Sequence, residues 1–167
     1  KLHITGPFGL PFTVPADKKA NLLLIGLGTG IAPFRAFVKH IYQDIGDWEG
    51  KVRLLYGARS GLELLYMNDQ RDDFARYYDE ETFEAFQALS PRPNWADPIA
   101  WDHAIEDRSE EILSLLDDEH TYVYVAGLVP IRDALDKLFS TMVGSPEGWS
   151  AKKSELMDAN RWVELLY

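Results

Sequence analysis

Asn21-Leu22-Leu23-Leu24-Ile25-Gly26-Leu27-Gly28-Thr29-Gly30-Ile31-Ala32-Pro33 is the stretch that decides the fold. Its first half is a short, unbroken apolar run closed by glycine. A run without polar alternation suits a strand buried on both faces of a parallel sheet. Its second half leads into Ile31–Ile45, where Phe34, Phe37, Val38 and Ile41 recur at helical spacing and Pro33 sits in the first turn. Between them lies a glycine-rich turn. Such a turn lets backbone approach a phosphate closely, and the following helix start offers unpaired N–H groups and positive potential.

Outward from that unit, strands and helices alternate. Val52–Gly57 reads as a second strand and Glu63–Tyr78 as a helix; Thr82–Leu89 reads as a third strand. Pro91, Pro93 and Pro98 enforce an irregular loop, and Asp107–Leu116 is helical. Thr121–Gly127 is the richest in β-branched and aromatic residues and reads as a strand. Helices over Pro130–Val143 and Lys152–Asn160, then a strand over Arg161–Tyr167, complete the pattern. The alternation predicts a doubly wound α/β fold, with a parallel sheet of about five strands and helices on both faces.

Composition narrows the function. The chain has 167 residues, enough for one domain, and 46% of them are apolar. A formal charge of −10 argues against a nucleic-acid-binding surface. No apolar run is long enough for a membrane span. The absence of cysteine removes disulfides, thiolate catalysis and cysteine-held metals, and accords with a cytoplasmic, reducing setting. His3, His40, His103 and His120 are scattered without metal-ligand spacing.

The turn itself fits neither common nucleotide signature. G-x-G-x-x-G starting at Gly26 would need glycine at Ile31, and the second strand ends in Gly57-Ala58-Arg59 rather than Asp or Glu. Gly-Lys-Ser/Thr of a P-loop is missing as well. The segment Gly28-Thr29-Gly30-Ile31-Ala32-Pro33-Phe34-Arg35 instead resembles the nicotinamide-side motif of the ferredoxin–NADP reductase family. Ile4-Thr5-Gly6-Pro7, Gly57-Ala58-Arg59-Ser60 with Leu64-Leu65-Tyr66, and Tyr122–Leu128 resemble further motifs of that family in the same order. The terminal Tyr167 is similar to the ending of its plant-type branch.

The resemblance implies that residues 21–167 are an NAD(P)-binding domain and residues 1–20 the end of a linker from an upstream FAD-binding barrel. It implies that Gly28, Thr29, Gly30, Ile31, Ala32 and Pro33 contact the nicotinamide and diphosphate of NADP, with NAD possible, and that Gly127 and Leu128 flank the site. Ser90 and Arg92, around Pro91, are the nearest match to the pair that holds the adenosine 2′-phosphate. By its place at the end of the second strand, Arg59 is either a further cation for phosphate or a plain solvent-exposed side chain. Trp95 or Trp101 is a candidate for a stacking aromatic or for plain packing. Tyr167 is expected against FAD, with Glu164 as a candidate for assisting transfer. The family's usual Cys before Gly-Leu is Ala126, and its usual Glu position is Leu165. Hydride would pass to FAD in the full-length protein, then electrons to a ferredoxin, flavodoxin or oxygenase component. The alternative is an electron-transfer or scaffold domain that does not turn over pyridine nucleotide. Because ferredoxins are usually acidic and this chain is too, like charges would direct docking to the barrel or point to a different partner.

Overall fold

The computed structural model describes residues 12–60, 64–66, 73–91, 98–105 and 108–167. Its strands are β1 (Asn21–Leu27), β2 (Val52–Ala58), β3 (Phe83–Leu89), β4 (Thr121–Gly127) and β5 (Trp162–Leu166). All neighbouring pairs run parallel, in the order β3-β2-β1-β4-β5. The helices are α1 (Ala32–Lys39), α2 (Trp101–Ile105), α3 (Ser109–Asp117), α4 (Pro130–Val143) and α5 (Pro146–Asp158). The doubly wound fold expected from the alternation is therefore the fold observed.

The apolar runs form strands because both sheet faces are covered. Leu22 and Leu24 of β1 join Leu54 and Tyr56 of β2, Tyr124 of β4 and the α1 residues Phe34, Phe37 and Val38 in one core. Leu23 and Ile25 point the other way, into a core with Leu55, Val123, Val125, Ile112 of α3, Leu135 and Phe139 of α4 and Trp149 of α5. After Asn21 at its start, neither face of β1 can then carry a polar side chain, which is why the strand shows no alternation. Phe12 stacks on Phe34 with ring centroids 5.7 Å apart, and the Tyr124 hydroxyl donates to the Thr13 carbonyl at 2.6 Å. The segment before β1 is thus packed onto the domain.

Three local expectations differ from the structure. Among the described residues of 63–78, Leu64–Tyr66 is a turn and only Phe74–Tyr77 forms a short 3-10 helix. The apolar side chains there serve a different purpose: Phe74 and Tyr77 are core residues, and the Tyr56 hydroxyl accepts from the Leu65 N–H at 3.0 Å. Helix α5 begins at Pro146, capped by the Ser145 side chain accepting from Gly148 N–H at 2.9 Å. Ser followed by Pro is a start signal that outweighs the later amphipathic pattern. Helix α2 went unanticipated. Its Trp101 is 4% exposed, and a Cβ at Gly57 would lie 2.4 Å from the Trp101 ring. Trp101 therefore packs in the core, while Trp95 lies outside the described residues.

One charge is built into the start of β2. Arg53, 5% exposed, donates to Glu111 of α3 at 2.9 and 3.2 Å and to the Thr82 carbonyl at 3.0 Å. Burial pushes the Glu111 carboxyl up, but hydrogen bonds from Arg53 and Lys51 outweigh it and hold the group below its ordinary value. A depressed folded-state value stabilises above the unfolded pKa and is lost as pH falls through it. Glu111→Gln is accordingly expected to cost about 1–3 kcal/mol at neutral pH, because it weakens the pairing of a buried guanidinium. Urea unfolding at pH 7 and pH 4 should show the wild-type advantage shrinking at the lower pH. An advantage that is unchanged or larger at pH 4 would contradict the assignment.

Candidate functional site

A parallel sheet brings the residue that follows every strand to one edge. Gly28 follows β1, Arg59 follows β2, Ser90 follows β3, Leu128 follows β4 and Tyr167 follows β5. Positions far apart in sequence thereby share one surface. The strand order reverses direction between β1 and β4, and the crevice outside that reversal is where ligands of such sheets sit. Among the strand ends, those of β1 and β4 flank it directly.

The turn after β1 is shaped by glycine in two different ways. Gly28 has φ +57°, a left-handed conformation that L side chains rarely adopt, and an added Cβ would meet nothing within 4 Å. Its backbone therefore faces open space. At Gly30 the constraint is contact: a Cβ would lie 2.2 Å from the Ala126 carbonyl oxygen of β4. The turn Gly28–Ile31 is a single 3-10 turn running directly into α1, with the Ala32 N–H bonded to the Thr29 carbonyl. Ile31 is fully buried and anchors the turn in the core, whereas Thr29 and Ala32 are exposed and Pro33 lies in the first turn of α1. A backbone held down by Ile31 and Gly30, open at Gly28 and continuous with a helix start fits an anionic diphosphate.

Tyr167 reaches this turn from the far side of the crevice. Its hydroxyl and that of Thr29 are hydrogen-bonded, its N–H donates to the Gly127 carbonyl at 3.1 Å, and its carbonyl accepts from Val129 N–H at 3.2 Å. The residue is 55% exposed, as is Leu128 at 51%. The C-terminal aromatic therefore sits at the switch point beside the glycine turn.

Against known proteins, the model of the family described as oxidoreductase NAD-binding domain matches residues 24–137, from β1 into α4. The chain belongs to that family. It is 27% identical to a ferredoxin–NADP reductase of Synechocystis over 167 residues, covering 96% of this chain and 40% of that protein. It is 29% identical to the chloroplastic leaf isozyme 1 of ferredoxin–NADP reductase from Oryza sativa subsp. japonica, covering 99% of this chain and 47% of that protein. The leaf-type isozyme of Nicotiana tabacum is 27% identical, with 100% and 47% covered. The chain spans less than half the length of these relatives. The resemblance carried by the motifs thus extends along nearly the whole chain, which is a pyridine-nucleotide-binding oxidoreductase domain.

The domain treats the remaining candidates unequally. Ser90 is 6% exposed, fixed where the Ala100 N–H bonds the Leu89 carbonyl, and Arg59 is exposed at the end of β2. Arg92 lies outside the described residues, as do Ile4–Pro7. Glu164 faces the α4–α5 side of β5 with Trp162 and Leu166, while Val163 and Leu165 pack on the opposite core. Its Oε2 accepts from Arg132 Nε and a terminal guanidinium nitrogen at 2.9 and 2.7 Å. Its Oε1 accepts from Trp162 Nε1 at 2.8 Å and lies 3.2 Å from Lys153 Nζ. Burial pushes the carboxyl up, but the Trp162 and Arg132 hydrogen bonds and the Lys153 charge hold it below its ordinary value.

Arg132 and Lys153 were not among the sequence-derived candidates. No periodicity links Glu164 to Arg132, 32 residues earlier, and only the packing of α4 and α5 beside β5 brings Arg132 and Lys153 to it. Arg35, inside the quoted motif, bonds the nearly buried Asp73 at 3.1 Å and lies 5.0 Å from the centre of the Tyr66 ring. That arrangement ties the segment after β2 to α1. Among the described residues no cluster of His, Asp or Glu could hold a metal ion, and no helix is long and apolar enough to cross a membrane.

The two glycines make separable predictions. Gly30→Ala must displace the β4 backbone and is expected to destabilise by about 1–3 kcal/mol, the usual cost of overpacking. Gly28→Ala has room and should cost about 1–2 kcal/mol through conformation alone. Gly28→Asn, which tolerates the left-handed region, should recover most of that loss in urea unfolding. Equal losses for Ala and Asn at 28 would refute the conformational reading.

Proposed function

We propose that this domain binds NADP(H) at the β1–β4 crevice and presents its nicotinamide to an FAD held mainly by an upstream domain. The single observation that carries this reading is the joint placement of the open Gly28 turn and the terminal Tyr167 at the switch point. Backbone at Gly28–Pro33 and the start of α1 cradle the diphosphate. The Thr29 hydroxyl donates to it or to the nicotinamide carboxamide. Gly127 and Leu128 close the opposite wall, with the exposed Leu128 side chain offering apolar cover.

NADP(H) is preferred over NAD(H) on two grounds. The β2 end, where an acid would grip a ribose hydroxyl, carries the cation Arg59 instead, which favours phosphate. Ser90 and Arg92 supply the matching contacts after β3. When bound, the dinucleotide supplies a hydride to the flavin, and the flavin then delivers electrons to a ferredoxin, flavodoxin or oxygenase component. The protein's own contribution is geometric. Tyr167 offers a flat ring beside the crevice, where an isoalloxazine would lie, and excludes water from the transfer region. The ferredoxin–NADP reductase names of the similar proteins support the acceptor class.

Calorimetric titration of the chain with NADPH and NADH tests the proposal directly. NADPH should bind the tighter of the two, and Gly28→Val should weaken it by at least ten-fold. Arg59→Ala should narrow the gap between the two nucleotides. Absence of binding by either nucleotide would refute this function and leave a scaffold or electron-transfer role. The chain should also purify colourless; a stoichiometric flavin carried by these residues alone would contradict the assignment of FAD to another domain.

A further inference from the structure

We propose that Arg132 and Glu164 are positioning residues for Tyr167, forming a clamp that fixes the terminal aromatic over the glycine turn. The inference rests on the nucleotide-binding reading above and deepens it by assigning a role to charges outside the crevice.

Glu164 lies three residues before the terminus, and both of its oxygens are engaged. Arg132 grips Oε2 through two nitrogens at 2.7 and 2.9 Å, and Trp162 Nε1 and Lys153 Nζ occupy Oε1. A two-pronged guanidinium–carboxylate contact fixes orientation as well as distance. Lys153 continues the chain of charges to Asp136 of α4 at 2.9 Å, and Asp136 also accepts from Trp149 Nε1 at 2.8 Å. The cluster thus joins β5, α4 and α5 through paired charges. A carboxylate so fully occupied cannot serve as a free proton carrier. Its geometry suits holding a strand end in place.

What it holds is defined by the backbone. Arg132 lies in the first turn of α4, three residues after Val129, whose N–H bonds the Tyr167 carbonyl. Glu164 lies three residues before Tyr167, whose N–H bonds the Gly127 carbonyl. The side-chain bridge therefore closes a small loop with these two backbone bonds, with the exposed Tyr167 at one corner. With the corner fixed, the Tyr167 hydroxyl can reach Thr29 across the crevice. Without the bridge, Tyr167, one residue beyond the β4–β5 ladder, keeps only those two backbone bonds and its hydroxyl bond to Thr29, and ends held this way fray.

Because Thr29 is also a proposed nucleotide contact, the clamp sets how strongly Tyr167 competes for it. Loosening the clamp should free Thr29 and tighten NADPH binding. Two measurements on the whole chain test this. In amide hydrogen exchange, Arg132→Ala should speed exchange at Tyr167 and Val129 at least ten-fold, with the α5 and central β4 amides unchanged. Arg132→Lys, which keeps charge but loses the two-pronged grip, should fall between. In calorimetry, Arg132→Ala should tighten NADPH binding about three- to ten-fold, and this gain should vanish when Tyr167→Ala is also present. Uniformly faster exchange through α5 and β5 would show a general structural brace and overturn the proposal. A gain or loss of affinity that persists without Tyr167 would also overturn it. Failure of the wild-type chain to bind NADPH would refute the nucleotide reading instead, while the exchange data still decide whether the clamp positions Tyr167.

Discussion

Helix α1 can follow β1 as tightly as it does only because Gly30 rests against the Ala126 carbonyl of β4, closer than any side chain permits. That contact draws the glycine turn into the crevice where strand order reverses. It also buries Ile31 and leaves Gly28 open toward the edge. Backbone concentrated at one point of the sheet edge is what a diphosphate requires, and it is available only where two parallel strands diverge. The two cores on either side of β1 follow from the same arrangement, since the central strand must be covered on both faces.

Polar groups in the domain are handled by pairing rather than exclusion. Arg53 is nearly buried beneath α3 with Glu111, and Glu164 is enclosed by Arg132, Lys153 and Trp162. No buried side-chain nitrogen or oxygen among the described residues is left without a partner. Such pairs contribute little net stability compared with apolar packing, because desolvation offsets most of the attraction. Their value here is orientation. One fixes α3 over the start of β2, and the other fixes the end of β5 beside the first turn of α4.

The site is assembled from elements of unequal rigidity. Gly28–Ile31 is pinned from below by core contacts, whereas Leu128, Val129 and Tyr167 are all about half exposed. The turn and the exposed aromatic face each other across the crevice, joined by the hydrogen bond between the Thr29 and Tyr167 hydroxyls.

Much of this was legible in residue order. The buried run of β1, the β-branched run of β4 and the Pro130 helix start each carry local signals, and local chemistry produces them. The glycine turn was legible for the same reason, and the likeness to ferredoxin–NADP reductases put Tyr167 among the candidates, which the structure places beside that turn. Glu63–Tyr78 misled because Phe74 and Tyr77 fill a core from a short turn, and apolar spacing alone does not reveal that. Residue order leaves Trp101 equally suited to stacking or packing, and its contact with Gly57 across the fold assigns it to the core. The sequence by itself determined which segments become strands and which turn has bare backbone, since both depend on side-chain size and polarity over a few residues. Only the tertiary structure decided that Glu164 faces Arg132 and Lys153, and that Tyr167 meets Thr29. Those partners are separated by up to 138 positions and are joined by strand order, which no local pattern encodes.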